Sequence, residues 1–132
     1  MTSTRGSSSA RPDVNQAQLA GLALGLAAVA LGPFVWWLTR QAATGALGRN
    51  SWAGLRTSRT MQSDEAWVTG HRAALEPAAG MARRVGGMGA LAVVMAVLGH
   101  TPQSMVAGFA ALVLLLHGAF ASVRAAHRAI DR

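Results

Sequence analysis

The chain is 132 residues long, 52% hydrophobic and only 13% charged, and its 12 basic residues, all arginine, outnumber 5 acids to give a formal net charge of +7. A soluble domain carries about 25% charged residues, whereas here no Asp, Glu, Lys or Arg occurs between Asp13 and Arg40 or between Arg84 and Arg124, windows of 26 and 39 residues. Charge-free apolar runs of about 18 residues or more read as membrane spans, which excludes a soluble globule and a disordered polycation, and the absence of cysteine excludes a disulfide framework, a thiol nucleophile and a cysteine-based metal site.

Residues 1–16 are rich in Ser, Thr and Arg, include Pro12 and lack apolar periodicity, so a flexible tail is expected. The first span follows at about residues 18–39, with an apolar run from Leu19 to Leu38. Trp36 and Trp37 at its end suit the headgroup boundary, because indole combines an apolar body with a polar N–H. Pro33 is expected to kink it. A cleaved signal peptide is the rival reading, but the run exceeds the usual apolar region and ends in bulky tryptophans and Arg40.

A connector at residues 40–80 comes next. Its first half has turn chemistry in Gly48, Asn50, Ser51 and Gly54. Its second half has a helix start: Ser63 can cap, and Asp64 and Glu65 face the positive end of the helix dipole. Ser63, Trp67 and His71 then share one face at i, i+4 and i+8. Pro77 is expected to end or bend this helix, leaving a short amphipathic helix at the interface with Trp67 inserted among headgroups.

The second charge-free window is too long for one span and breaks at His100-Thr101-Pro102-Gln103-Ser104. Two further spans are expected at about 81–99 and 104–123, with Arg83 and Arg84 snorkelling to the surface and 124–132 as a basic tail. Three spans place ten arginines (Arg40, Arg49, Arg56, Arg59, Arg72, Arg83, Arg84, Arg124, Arg128 and Arg132) on one side and only Arg5 and Arg11 on the other. Arginine resists translocation, so the amino terminus is expected outside and the connector and carboxyl terminus in the cytoplasm. The basic residues thus answer to orientation and to anionic headgroups at the cytoplasmic face, and no nucleic-acid partner is expected. Small residues at Gly21, Gly25, Ala28 and Gly32, and at Gly86, Gly87, Gly89, Ala92 and Ala96, allow close helix packing within the chain or with a second copy.

The spacing Asn50-x3-Gly54-x-Arg56-Thr57-x2-Thr60-x2-Ser63-x3-Trp67-x3-His71-Arg72 sets nine residues in a stretch of 23. It resembles the signature of the SdpI family of small bacterial integral membrane proteins, in which it lies between one span and a following helical pair. The resemblance implies an all-α membrane protein with three transmembrane helices in a bacterial plasma membrane. A larger member protects its producing cell from a secreted toxic peptide and signals by drawing a repressor to the membrane. A toxic peptide or a cytoplasmic regulator is therefore an expected partner.

Read as chemistry, Arg56 and Arg72 suit bidentate contacts to lipid phosphate, or bonds to carbonyls and to Thr57, Thr60 and Ser63 that would make the connector a cap beneath the helices. Catalysis is not expected: Asp64, Glu65 and Ser63 lie six to eight residues from His71, about two turns away. His71, His100, His117 and His127 lack any metal-ligand spacing, and Met88, Met95 and Met105 suit packing better than copper, so neither metal nor cofactor is expected. His117, an ionisable group inside the third span, reads first as a side chain bonded to its own helix. The expected function is envelope immunity or resistance to a membrane-active peptide, with or without signalling by the same chain. The alternative is an accessory subunit of a larger membrane complex, and a lipid-modifying enzyme ranks last.

Overall fold

The computed structural model describes residues 15–132 as three helices in chain order, α1 (Gln16–Ala43), α2 (Asp64–Val97) and α3 (Thr101–Ile130). All three are long and apolar enough to cross a membrane, and no strand occurs among the described residues. The expected flexible tail lies outside the described residues except at its end. There Asn15 caps α1, its side chain accepting from the Gln18 amide at 2.7 Å, and Gln16 opens the helix.

The boundaries differ from expectation at three places. α2 runs unbroken for 34 residues through Pro77. The expected short interfacial helix is therefore the first part of the second spanning helix. A proline inside a helix costs about 3 kcal/mol through a lost hydrogen bond and a carbonyl clash, but Ala74, Ala78, Met81 and Val85 on both sides of it are almost wholly buried. Packing holds the axis where local propensity would break it. At 1.5 Å per residue α2 is about 51 Å long, roughly 20 Å more than the hydrocarbon core, and all of its charged residues lie between Asp64 and Arg84, in the part nearer its start.

Similarly, residues 124–130 of the expected basic tail continue α3, and Ala126 is completely buried. The polar break at 100–104 is shorter than expected. The chain reverses over Leu98–His100, where the His100 amide donates to the Met95 carbonyl at 2.8 Å. Pro102 then falls in the first turn of α3, where its missing N–H would have no partner anyway.

α2 is the central element, packed against both α1 and α3, which meet each other over a smaller area. The crossing with α1 is made by the small residues expected to make it. A Cβ placed on Gly25 would lie 2.7 Å from the Gly89 carbonyl, and one on Gly89 would lie 2.7 Å from the Ala28 Cβ. Lipid supplies no hydrophobic drive between helices, so such close backbone approach, with its dispersion contacts, is what holds them. Gly86 and Gly87 have no such neighbour and take no part. Ala28, Met81, Val85 and Ala111 form the interior, while Leu26, Val106, Phe109, Leu116 and Phe120 face outward, as in a helix that meets lipid.

Candidate functional site

Three segments converge at the end of the bundle where α1 finishes: residues 44–63, the first turns of α2 and the last turns of α3. α2 starts as its sequence dictates, with Ser63 Oγ accepting from the Ala66 amide at 3.0 Å and Asp64 and Glu65 in the first turn. The extra length of α2 carries Trp67 and His71 into this region, where both are buried. Trp67 is thus not inserted among headgroups. Its ring packs on the His71 imidazole with centroids 4.3 Å apart, and its Nε1–H donates to the Leu47 carbonyl at 2.8 Å. A tryptophan that finds both a ring partner and an acceptor inside the protein gains nothing from the interface.

The loop is folded onto this pair. Asn50 Oδ1 accepts from the amides of Trp52 and Ala53 at 3.0 and 2.8 Å, closing a turn by its own side chain. Gly54 then adopts φ +95°, and a Cβ there would lie 2.8 Å from both His71 Nε2 and the Trp67 ring. Only glycine meets both conditions. The turn delivers the Leu55 amide to His71 Nε2 at 2.8 Å, while the Trp67 carbonyl lies 2.7 Å from His71 Nδ1. An amide can only donate and a carbonyl only accept. The imidazole is therefore neutral, with its proton on Nδ1. Burial outweighs the bond to the Trp67 carbonyl and holds the His71 pKa below its ordinary value of 6.5.

The threonines tie the loop to itself and to α3. Thr60, fully buried, accepts from the Thr57 amide at 3.0 Å and donates to the Leu55 carbonyl. Thr57 Oγ1 lies 2.9 Å from His127 Nε2, a contact that spans 70 positions of chain. The arginines bond mostly to carbonyls. Arg56 donates to Ser51, and Arg72 Nε donates to the Ala43 carbonyl at 3.0 Å, at the negative end of α1. Arg49 bridges the Met61 carbonyl and Asp64, and Arg59 pairs with Asp131.

A profile of the SdpI/YfhL protein family matches residues 46–123, more than half of the chain. The chain belongs to the SdpI/YfhL protein family. No curated protein and no solved structure matches it. The segment matched to SdpI/YfhL takes in the loop, α2 and most of α3, and leaves α1 outside.

All nine residues of the SdpI-like spacing lie in this cap, and their polar groups are bonded mainly to one another and to backbone. His71 has neither nitrogen free to act as a base, and Ser63 Oγ is engaged as a helix cap. Among the described residues no three His, Asp or Glu side chains converge.

Sequence reasoning missed several participants. Arg49, His127 and Asp131 enter only through folding. Gly70 admits the Thr60 methyl, Ile130 and Ala126, all within 3.3 Å of where its Cβ would be. Gly70, Ala74 and Ala78 recur at i, i+4 and i+8, a small-residue stripe that would have shown α2 continuing past Pro77.

Proposed function

We propose that this protein is a non-enzymatic guardian of a bacterial inner membrane. It would confer resistance to a membrane-active or toxic peptide, with the amino terminus outside and the cap in the cytoplasm. One observation carries the reading: Thr60, Trp67 and His71 are buried, and the polar groups of the family residues are spent on backbone and on each other, so that the cap is a bonded plug joining all three helices, with Arg56, Ser63 and Arg72 left on its surface. Such a unit offers an interaction surface and a rigid bundle rather than a reaction centre. The ten arginines at the cap end support the orientation, since arginine is retained on the cytoplasmic side. The same cap, exposed to the cytoplasm, is where a regulator would be drawn to the membrane.

The test is sensitivity to a panel of membrane-active peptides. Cells lacking the gene should become more sensitive to at least one, and restoring the wild-type chain, but not Gly54→Ala, should recover tolerance. Unchanged sensitivity across the panel contradicts the reading.

A second reading is favoured by His117. It is exposed on the outer face of α3 beside Leu116 and Phe120, without a hydrogen bond to any described residue. A polar side chain on a lipid-facing strip is costly, and a partner helix would satisfy it. An accessory subunit would co-purify with a stoichiometric partner in mild detergent, and a lone chain would not.

A further inference from the structure

Between α1 and α2 lies a cleft of about 320 Å³ lined by Pro33, Trp36, Ala79, Ala82 and Arg83. Its walls are a proline ring, an indole and two methyl groups, so its body is apolar. Two cations border it. Arg83 lines the cleft itself, and the Arg40 guanidinium sits 5.8 Å from the centroid of the Trp36 ring. Neither forms a salt bridge among the described residues. Neighbouring Arg84, by contrast, donates its Nε to the Gly80 carbonyl.

The level of the cleft along the helices also matters. Arg40 is the first charge after the α1 apolar window, and Arg83 and Arg84 are the last before that of α2. Because Ala82 packs against Gly32, Arg83 stands about two turns deeper in the bundle than Arg40, and the cleft between them spans the boundary between acyl chains and headgroups, where tryptophan is favoured.

The geometry points to a binding site for one anionic phospholipid, an acyl chain lying in the apolar trough and its phosphate against Arg83, with Arg40 beside Trp36 adding to the positive field. Charge complementarity selects this occupant: the lining holds Arg83 and no acid, neither Arg83 nor Arg40 is in a salt bridge among the described residues, and an arginine fork suits phosphate oxygens. A zwitterionic lipid would offer the same chain with its phosphate charge cancelled. The site requires the three-span bundle but not the peptide resistance proposed above, so either idea can fail without the other.

The full chain, purified in a mild neutral detergent, should be incubated with phosphatidylglycerol or with phosphatidylcholine of identical acyl chains and analysed by native mass spectrometry. One phosphatidylglycerol should be retained in preference to phosphatidylcholine. Arg83→Gln should weaken retention about fivefold, the effect of one basic residue at a membrane surface, and Ala79→Leu should weaken it by filling the trough. Arg128→Gln, on the exposed side of α3, should leave it unchanged. Independently of how Ala79→Leu folds, phosphatidylglycerol with brominated acyl chains should quench tryptophan emission in the wild type more than in Trp36→Phe. Equal retention of the two lipids overturns the proposal, as does equal loss in Arg128→Gln and Arg83→Gln. Displacement by glycerol 3-phosphate at concentrations matching the lipid would show a headgroup site without the trough and would overturn it too.

Discussion

The Leu55 amide donates to Nε2 of His71 at 2.8 Å, and this bond, with that from Trp67 Nε1–H to the Leu47 carbonyl, joins the loop to the helix that supports it. The Leu55 bond requires an unprotonated Nε2. Because burial holds the folded-state pKa of His71 below 6.5, the unfolded chain binds the proton more readily. The stabilisation from neutral His71 is complete above pH 6.5 and is lost as pH falls through the lowered value. Melting temperature in detergent should therefore fall between pH 7.5 and pH 5. A second imidazole, His127, contacts Thr57 Oγ1 in the same cap, so His71→Gln and His127→Gln are compared. Only His71→Gln should remove most of the slope.

Gly54→Ala should destabilise the cap strongly. The left-handed backbone alone costs an L-residue about 1–2 kcal/mol, and the new methyl would meet His71 and Trp67 at 2.8 Å. Gly48 has negative φ and nothing within 4 Å of its Cβ position. Gly48→Ala should therefore be nearly neutral in the same thermal assay.

Trp67 separates packing from hydrogen bonding. Trp67→Ala removes a side chain that is 1% exposed and should cost about 3–5 kcal/mol. Trp67→Phe keeps a ring but leaves the Leu47 carbonyl without its donor, at a cost of about 1–3 kcal/mol. If Trp67 were instead a headgroup anchor, both losses would shrink in detergent, and chemical denaturation of the two variants measures them.

At the crossing of α1 and α2, Gly89→Leu should separate the helices, because its Cβ would already lie 2.7 Å from the Gly25 carbonyl. Overpacking of this kind costs about 1–3 kcal/mol. Gly87→Leu, two residues away with no neighbour within 4 Å, should be tolerated. Size-exclusion profiles and melting temperatures of the pair read the difference directly.

Much of this arrangement was legible in the residues themselves. Charge-free windows located three membrane-spanning segments because charge is what a bilayer rejects, and Ser63 announced its helix because capping is local chemistry. The small residues of α1 identified its packing face for the same reason. What stayed hidden depends on contacts distant in sequence. Trp67 carries the same signature whether it enters headgroups or a protein interior, and only the docking of Leu47 and Gly54 decides between them. Pro77 reads as a break unless the packing of Ala74 and Ala78 is known. His127 gives no sign that it reaches Thr57, 70 positions away.

The proposed orientation puts the loop bearing the family residues at the cytoplasmic end of a three-span bundle. The chain has no cysteine, so single substitutions report cleanly on accessibility. Ser51→Cys lies on the exposed surface of the loop, and His100→Cys lies exposed in the turn between α2 and α3. In intact spheroplasts an impermeant maleimide should label His100→Cys at once and Ser51→Cys only after permeabilisation. Labelling of Ser51→Cys from outside, or of both positions from the same side, would contradict the account.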